Sequence, residues 1–354
     1  MTAPFSIAGR SIGPGEPVYV IAEVSANHGQ DYDTAARIVR GAAEAGADAV
    51  KLQTYTPDTI TIASNAPAFR AGEGSLWEGT TLYDLYQKAY MPWDWQPRLK
   101  ALAEELGLHC FSSPFDPTAV EFLLAMDVPA FKIASFELVD LPLIRTVAAT
   151  GRPMIMSTGM ASEAEVDEAV ATARAAGARE IALLKASSAY PDPPESMHLR
   201  AIPALMKRYD LPIGLSDHTL GIAAAVAAVA LGASIVEKHI IASHDDDTPD
   251  AAFSLDTAEF AAMVDVIRFT ERALGQPTIT LTDEETESRR FRRSLFVVED
   301  VAAGEVLTQR TVRSIRPADG LHTREYEAVL GRRAARAIER GTPLSWDLIE
   351  PGSS

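Results

Sequence analysis

Two histidines lie near the ends of successive apolar segments in this sequence. His218 closely follows one segment, and His239 lies in the next, where Glu237 shares its face and Lys238 points the other way. If both segments are parallel strands of one sheet, the two imidazoles can converge on a divalent ion. Two histidines without nearby thiolates, together with carboxylates such as Glu23, favour an octahedral ion over a closed zinc site. The spacing alone is equally consistent with two histidines that only form hydrogen bonds.

Lysines and serines occur at the ends of other apolar segments. Lys51, Lys132 and Lys185 are each in a position where a lysine binds phosphate, forms a Schiff base, or extends out between strands. Small hydroxyl side chains follow several segments, and with Lys132 they could supply the donors that a shielded phosphate dianion needs: Ser113, Ser135, Ser157 and Ser216. His28, after the first segment, is either a general base or a loop residue.

These side chains require elements that place them at one end of a sheet. Eight apolar runs of strand length alternate with segments whose apolar residues recur at helical spacing. Continuous apolar strands between helices are typical of a parallel sheet covered on both faces, and eight repeats over roughly 270 residues favour a closed (β/α)8 TIM barrel. The predicted strands are 18–24, 49–52, 108–111, 130–134, 153–156, 181–184, 212–215 and 234–241.

The ends of these elements follow a consistent pattern. Glycines suited to a left-handed helix cap follow the predicted helices 34–45, 96–106, 161–176 and 221–231, at Gly46, Gly107, Gly177 and Gly232. All eight strands end in polar or ionisable residues. In a barrel these ends face the substrate, and polar groups at every end cost stability, so the pattern indicates an active site.

One connection, from Tyr55 to Trp95, is too long for a plain strand-to-helix loop. It contains the segment 72–77 and an aromatic cluster formed by Tyr83, Tyr86, Tyr90, Trp93 and Trp95. Long ordered loops at the carboxyl end of a barrel are often lids or specificity elements. A packing insertion is an equally good interpretation of this segment.

The pattern changes near the end of the chain. We predict a barrel with an amino-terminal hairpin over residues 1–281, a linker over 282–292 and a small β-rich domain over 293–354, with strands at 294–298, 304–307, 312–315 and 334–337. Residues 288–354 carry 12 Lys and Arg against 9 Asp and Glu, a net charge of +3, whereas the rest of the chain carries −20. This split suggests that the two parts touch, within one chain or between chains.

The whole-chain composition limits the function classes. A net charge of −17 argues against nucleic acid and anionic membranes as partners. The single cysteine, Cys110, excludes an internal disulfide and is expected to be a buried small hydrophobe. Neither a signal peptide nor an apolar run long enough to span a membrane is evident, so a cytoplasmic location is expected.

The strand ends resemble those of the sialic acid synthase family in six motifs that occur in the same order, and the carboxyl-terminal region looks like the antifreeze-like (SAF) domain of that family. The resemblance covers almost the whole chain. The motifs are residues 22–28, 51–58, 111–115, 132–137, 214–218 and 237–239 in the barrel, and 294–296 and 316–321 in the small domain.

The resemblance implies that phosphoenolpyruvate condenses with the aldehyde of an amino sugar. It implies metal binding by His218 and His239, with Mn²⁺ expected and Mg²⁺ or Co²⁺ as alternatives, a metal-bound water held by Glu23, and acid/base catalysis by Glu137, with His28 as a further candidate. Phosphoenolpyruvate would contact Lys132, Ser113, Ser135, Ser157, Ser188 and Ser216. The sugar would contact Lys51, Gln53, Tyr190, Asp250 and Arg316, the last supplied by the partner subunit of a domain-swapped homodimer.

Within the family, the sequence is more similar to the pseudaminic acid synthase branch. The features are residues 53–58, 75–77 and 82–86, Phe136 beside Glu137, and residues 253–256. They imply 2,4-diacetamido-2,4,6-trideoxy-β-L-altropyranose as the sugar. The alternatives are an N-acetylneuraminate or legionaminic acid synthase and, more distantly, a metal-free Schiff-base aldolase or a non-catalytic sugar-binding protein.

Overall fold

A computed structural model describes residues 5–72 and 78–351 of the 354-residue chain. The chain divides into two compact units, Met1–Gly275 and Gln276–Ser354. The first begins with an antiparallel hairpin, β1 (Ser6–Ile7) and β2 (Arg10–Ser11). Ile7 and Ile12 from this hairpin pack in the same apolar cluster as Tyr19 and Phe111. Because Tyr19 begins the first barrel strand, the hairpin covers the amino end of the barrel.

The first unit is a closed barrel of eight parallel strands, which confirms the predicted (β/α)8 fold. The strands are β3 (Tyr19–Glu23), β4 (Ala49–Thr54), β5 (His109–Pro114), β6 (Phe131–Ile133), β7 (Met154–Ser157), β8 (Ile181–Ala186), β9 (Ile213–Asp217) and β10 (Ile235–His239). Each strand pairs with the next, and β10 returns to β3 with His239 opposite Glu23. All eight predicted strands are confirmed, and their ends differ from the prediction by no more than three residues. The shared register places the carboxyl ends, and their polar side chains, around one opening.

Helices surround the barrel, and local capping explains where several of them begin. Side chains at Asp31, Asp116, Asp140, Ser162 and Asp256 each accept a hydrogen bond from a backbone N–H of the first turn. The helices of the first unit are α1 (Tyr32–Glu44), α2 (Pro57–Ile60), α3 (Leu82–Ala89), α4 (Gln96–Glu105), α5 (Pro117–Ala125), α6 (Leu141–Ala149), α7 (Glu163–Ala175), α8 (Ala201–Tyr209), α9 (Ala223–Ala230) and α10 (Thr257–Leu274). The four glycines expected to cap helices all have positive φ, between 79° and 106°, so that prediction is also confirmed.

The long connection after β4 folds into short helical pieces. It contains α2 and α3, with 3-10 turns at Pro67–Phe69 and Trp93–Trp95. The motif Ser75-Leu76-Trp77 lies outside the described residues. Gln30 fastens the end of α3 to the loop after β3, because its Nε2 donates to the carbonyl oxygens of Gln87 at 2.8 Å and Tyr90 at 3.2 Å.

The second unit begins with α11 (Asp283–Ser288) and is built on one antiparallel pair, β11 (Ser294–Val297) and β12 (Val312–Ile315). It also contains a short helix, α12 (Tyr326–Val329). Its core includes Leu295, Val297, Val312 and Leu344. The strands predicted at 304–307 and 334–337 are wrong: they form single bridges, Val306 with Arg333 and Ala334 with Ile349. Left-handed glycines, Gly304 and Gly331, bend the backbone beside these bridges and prevent continuous ladders.

Two expectations from composition can be compared with the structure. Cys110 is buried, as predicted, and burial raises the pKa of its thiol to about 12, so it behaves as a small apolar side chain. Among the described residues, no helix is both long and apolar enough to cross a bilayer.

Candidate active site

A cavity of about 530 Å³ opens at the carboxyl ends of the barrel strands. Because the strands are parallel and closed, side chains that are far apart in sequence meet around it. Glu23, Lys51, Lys132, Ser157, Ser216 and Glu237, from β3, β4, β6, β7, β9 and β10, all line the cavity. The carboxyl end of the barrel therefore carries the candidate active site, in the position expected for this fold.

His218 and His239 meet in this cavity, as their positions on neighbouring strands predicted. Their ring centroids are 5.3 Å apart. His218 Nδ1 lies 2.9 Å from the carbonyl oxygen of Ser187, which can only accept, so Nδ1 carries the proton and Nε2 keeps its lone pair. Burial lowers the pKa of both rings, for His239 well below its usual value. Both imidazoles are therefore neutral at pH 7.

The surroundings of the histidine pair fit a divalent ion. His239 Nδ1 is buried and, among the described residues, has no hydrogen-bond partner. The carboxylate Oδ2 of Asp250 lies 3.7 Å from it, and Glu23 also lines the cavity. Neutral imidazole with carboxylate, and no thiolate, is a donor set for manganese or a similar borderline ion. These residues can hold the metal that the family resemblance implies.

A second group of possible ligands lies elsewhere on the barrel. His244, Asp256 and Glu259 place one ligand atom each within 4.8 Å of one another. Asp256 and Glu259 form the capping box of α10, and His244 Nε2 lies 2.8 Å from Glu259 Oε2. Helix capping accounts for this partly exposed group, so the histidine pair in the cavity is the stronger metal candidate.

Four buried charges form a connected network on the cavity floor. Lys51 Nζ lies 2.8 Å from Glu23 Oε2 and 3.4 Å from Glu237 Oε1, and Lys132 Nζ lies 3.0 Å from Glu237 Oε1. Ser216 Oγ donates to the same carboxylate at 2.9 Å. Two carboxylates and two ammonium groups balance in charge, but burying them costs free energy that apolar side chains would not. Such a network indicates function more than stability.

The network also shifts the pKa values of its members. Burial alone would raise the pKa of Glu237, but the charges of Lys132 and Lys51 outweigh it and lower the pKa to about 2. Burial lowers the pKa of Lys132 to about 8, against the opposing pull of Glu237. Burial also raises the pKa of Glu23. Glu237 was assigned no role from sequence, although its alternation with His239 placed it on the cavity face.

The predicted phosphate-binding serines lie in and around one side of the cavity. Ser135, Ser157 and Ser216 line it, and Ser157 Oγ is buried with no hydrogen-bond partner in the described part of the chain. Ser188 and Ser135 meet above Gly159, where an added Cβ would lie 2.5 and 2.6 Å from their hydroxyl oxygens. Ser113 is also buried, and it accepts a hydrogen bond from Lys51 Nζ at 3.4 Å. Hydroxyl groups gathered beside Lys132 can bind an anion.

The predicted sugar-contacting residues of the barrel line the cavity together. Gln53 Nε2 donates to Glu23 Oε1 and to Ser25 Oγ, both at 2.9 Å, so its amide is held across the ends of β3 and β4. Asp250 Oδ2 accepts from the backbone N–H of Ala26 at 3.3 Å. The Tyr190 ring packs 4.6 Å from that of His218. With Lys51, these groups offer both donors and acceptors to a polar ligand.

Glu137 and His28, two candidate acid/base residues, have different environments. Glu137 lines the cavity, its Oε2 has no hydrogen-bond partner among the described residues, and burial raises its pKa to about 7. A carboxyl group of this kind can exchange a proton near neutrality. His28 is absent from the cavity lining: its Nδ1 accepts from the backbone N–H of Gln30 at 2.9 Å, and its ring packs edge-on against Trp95. Burial lowers the pKa of His28 to about 4, so its ring is neutral at pH 7, and its buried Nε2 has no hydrogen-bond partner among the described residues.

Two candidate residues remain, Lys185 on β8 and Arg316 in the second unit. Lys185 does not line the cavity, and its Nζ donates to the carbonyl oxygen of Ala186 at 2.6 Å. Arg316 directly follows β12 in the second unit and is exposed. The barrel cavity itself therefore brings together Lys51 and Lys132, but not Lys185.

Comparison with known proteins finds related sequences and structures over nearly the whole chain. Residues 38–278 match the NeuB family, and residues 292–350 match the SAF domain. The pseudaminic acid synthase of Helicobacter pylori is 43% identical over 336 residues, which cover 95% of this chain and 98% of that protein. The N,N'-diacetyllegionaminic acid synthase of Legionella pneumophila is 31% identical over 343 residues, covering 96% of each protein.

A solved structure supports the same relationship. The N-acetylneuraminic acid synthetase of Leptospira borgpetersenii, crystallised with citrate, superimposes with a TM-score of 0.73 at 30% identity. The match covers 81% of this chain and 95% of that one. The chain is thus similar in sequence to synthases of pseudaminic and diacetyllegionaminic acid, and in fold to a synthetase of N-acetylneuraminic acid.

Proposed function

This chain belongs to the NeuB family, as its motifs predicted, and we propose that it condenses phosphoenolpyruvate with 2,4-diacetamido-2,4,6-trideoxy-β-L-altropyranose, giving pseudaminic acid and phosphate. The choice of sugar is supported by the 43% identity to a pseudaminic acid synthase, against 31% to a legionaminic acid synthase. Residues 1–281 would carry the barrel chemistry, and residues 293–354 would form the SAF domain.

One observation carries the proposal: a single cavity holds both an electrophile-binding pair and an anion-binding group. The pair is His218 with His239, and the anion-binding group is Lys132 with its neighbouring serines. A condensation between an aldehyde and an enol phosphate needs these two functions side by side. A site that bound only an uncharged sugar would not need a buried cation among hydroxyl donors.

Each substrate has its own set of contacts in this proposal. The phosphate of phosphoenolpyruvate binds Lys132 and the hydroxyl groups of Ser113, Ser135, Ser157, Ser188 and Ser216. The sugar binds Lys51, Gln53, Tyr190 and Asp250. His218 and His239 would hold Mn²⁺, with Mg²⁺ or Co²⁺ as alternatives, and an ion held there would supply Lewis-acid chemistry toward the sugar aldehyde.

The proposed reaction forms one C–C bond and breaks the C–O bond between carbon and phosphate. The methylene carbon of phosphoenolpyruvate attacks the aldehyde carbon and forms the new C–C bond, while Glu137 donates a proton to the aldehyde oxygen. Water adds to the resulting cationic carbon and gives one proton to the Glu137 carboxylate, and Glu23 orients that water. The tetrahedral intermediate then breaks its C–O bond to phosphate and becomes the keto acid as its hydroxyl proton passes to the departing phosphate, whose charge Lys132 and the serines stabilise. His28 has no role in this scheme, because it lies outside the cavity.

The proposal includes a homodimer that exchanges SAF domains. Arg316 of the partner subunit would then contact the sugar in the barrel of the first. Two observations support this: Arg316 is exposed at the end of β12, and residues 288–354 are basic while the rest of the chain is acidic. Opposite net charges favour association between the two parts.

The test is phosphate release from phosphoenolpyruvate with a panel of amino-sugar acceptors and Mn²⁺. The diacetamido-trideoxy-altrose should support turnover, and mass spectrometry should find the nine-carbon acid. Turnover with N-acetylmannosamine or the legionaminic acid precursor instead would change the sugar but keep the reaction. Phosphate release with no acceptor, or none with any acceptor, would overturn the proposal.

A Schiff-base aldolase is the rival reaction, and borohydride separates the two. That mechanism needs a free lysine amine at the substrate carbonyl. Lys132 is paired with Glu237, and Lys185 lies outside the cavity. A lysine adduct trapped by borohydride, together with full activity in a chelator, would replace the proposed mechanism.

A further inference from the structure

Helix α3 carries an apolar stripe that does not enter the barrel core. Leu82, Leu85, Tyr86 and Ala89 follow the i, i+3, i+4, i+7 spacing of one helical face. Such a face normally packs into a core, yet no residue of α3 is fully buried. All four of these residues line the active-site cavity instead. The stripe therefore faces the cavity and not the barrel core.

The helix is held in place at several points along its length. Thr81 caps it, because its Oγ1 accepts from the backbone N–H of Asp84 at 3.1 Å. Tyr83 donates from its hydroxyl to Asp58 Oδ1 at 3.2 Å, which connects α3 to α2. Gln30 binds the carboxyl end of the helix, as described above. These contacts orient the stripe before any ligand binds.

Aromatic and aliphatic side chains extend the stripe into a wall. The Tyr86 ring packs edge-on against Tyr55, with centroids 5.7 Å apart, and Tyr55 packs in the same way against Phe115 at 5.0 Å. Ile60 of α2 lines the cavity beside them. The cavity thus has one wall of aromatic and aliphatic side chains. The charged network around Glu237 lies on its floor.

The wall reaches close to the reacting groups. Tyr86 and Glu137 both line the cavity, so the wall and the carboxyl that transfers the proton face the same space. In the barrel, β4 is separated from β9 by β3 and β10. The insertion after β4 therefore starts at a different part of the rim from the end of β9, which His218 follows, and both the insertion and His218 line the cavity. A sugar with its aldehyde at the histidine pair would extend toward this wall.

We propose that the apolar stripe of α3 is the acceptor-selecting wall of the enzyme, and that Leu85 at its centre packs against the methyl group of a 6-deoxy amino sugar. This inference rests on the proposed function. A methyl group on the wall is removed from water at no polar cost, whereas a hydroxymethyl group would lose its hydrogen bonds to water. The wall would therefore select against sugars that keep the 6-hydroxyl group.

The experiment compares two acceptors that differ in one atom. These are 2,4-diacetamido-2,4,6-trideoxy-altrose and its counterpart with a hydroxyl group on carbon 6. Discrimination by a hydrophobic surface against an added hydroxyl is limited, so kcat/KM should favour the 6-deoxy sugar roughly 10- to 100-fold. Equal values of kcat/KM for the two sugars, with normal turnover, would overturn the inference while leaving the proposed function intact.

Two variants assign the discrimination to the stripe. Leu85→Ala should lower the 6-deoxy kcat/KM about 10-fold, through the sugar KM, and leave the phosphoenolpyruvate KM unchanged. Leu85→Gln has a similar helix propensity, and it should reduce the ratio of kcat/KM for the 6-deoxy sugar to kcat/KM for the 6-hydroxy sugar. Gln87→Ala, on the exposed side of the same helix, is the matched control and should behave as wild type.

The outcomes separate failure of this inference from failure of the proposed function. If no acceptor supports phosphate release in the wild-type enzyme, the reaction itself is wrong. If the wild type discriminates but Leu85→Ala and Leu85→Gln keep the same ratio, another surface selects the sugar. Circular dichroism and thermal unfolding would establish that the variants are folded. If a variant is unfolded, the ratio of kcat/KM for the two sugars in the wild-type enzyme still tests the inference.

Discussion

Lys238 Nζ lies 2.8 Å from Asp217 Oδ2, and both side chains are completely buried. Lys238 also donates to the carbonyl oxygen of Thr219. Each partner immediately precedes one of the two histidines of the cavity, Asp217 before His218 and Lys238 before His239. Because β9 and β10 are neighbours, this ion pair joins the two strand ends from the side facing away from the cavity. It joins the two strand ends that position the histidine pair, and we expect it to fix the spacing of the two imidazoles.

Replacing one partner of this pair should destabilise the barrel. Asp217→Asn leaves the Lys238 charge buried without its counter-ion, and we expect a loss of about 3–5 kcal/mol in the free energy of unfolding. Urea denaturation measures it. Glu163→Gln, which breaks the exposed ion pair with Arg208, is the control and should change stability little. The double variant Asp217→Leu with Lys238→Met should recover part of the loss but still bind Mn²⁺ more weakly, and unchanged Mn²⁺ affinity would contradict the spacing role.

Glu137 should control the alkaline limb of the pH–rate profile. Burial raises its pKa from 4.5 to about 7, so the proton-donating form disappears, and activity falls, as the pH rises through 7. Glu137→Gln should lower kcat about 100- to 10,000-fold and remove that limb. If Glu137→Gln keeps the wild-type kcat and the alkaline limb, another group, such as Glu23, donates the proton to the aldehyde oxygen.

The same shift has a consequence for stability. Between pH 4.5 and about 7 the folded protein keeps a proton on Glu137 that the unfolded chain has released. The contribution of this residue to stability is therefore complete below that window and is lost as the pH rises through it. Thermal unfolding of Glu137→Gln should show a weaker decline over this range than the wild type does.

Lys132 should matter for phosphoenolpyruvate, and Lys185 should not. Lys132→Met removes the positive charge beside the anion-binding serines and leaves the Glu237 carboxylate with one fewer neighbouring cation. We therefore expect kcat/KM for phosphoenolpyruvate to fall roughly 100-fold or more. Lys185→Met is the matched control, because Lys185 is also a barrel lysine but lies outside the cavity. Steady-state kinetics with saturating sugar tests both variants, and a dead Lys185→Met enzyme would revive the Schiff-base mechanism.

Metal binding should depend on His239 and not on the surface group. Isothermal titration with Mn²⁺, without substrates, should show one site in the wild type and a loss of about 100-fold or more in affinity for His239→Ala. His244→Ala is the control, since His244 belongs to the capping group near α10. A chelator should abolish wild-type turnover, and added Mn²⁺ should restore it. Full activity after chelation would remove the metal from the mechanism.

Arg316 should act across the subunits of a dimer. Arg316→Ala should raise the sugar KM without changing barrel stability. A heterodimer of Arg316→Ala and Lys132→Met chains, purified through two different tags, has one complete site if the arginine acts in trans, and should recover about half of the wild-type activity. If the arginine acts in cis, neither site is complete, and the heterodimer keeps the raised sugar KM of the Arg316→Ala enzyme. A monomer in analytical ultracentrifugation would also contradict the exchange.

Much of the fold and part of the candidate site could be derived from the sequence alone. Strand periodicity and polar strand ends are local patterns, and they specified the eight-stranded barrel and the cavity residues near its opening. The pairing of His218 with His239 follows from the same logic, since neighbouring parallel strands end at the same edge. The short bridges of the second unit could not be derived in this way, because single pairings between turns leave no periodic signal.

What only the tertiary structure decided depends on contacts between distant positions. Lys132 and Glu237 are separated by 105 residues, and only barrel closure brings their charges together. The apolar stripe of α3 has the spacing of an ordinary core face, and the structure turned it toward the cavity. His28 belongs to a family motif but packs against Trp95 outside the cavity. Side-chain type and spacing determine which residues can react, whereas chain closure determines which of them meet.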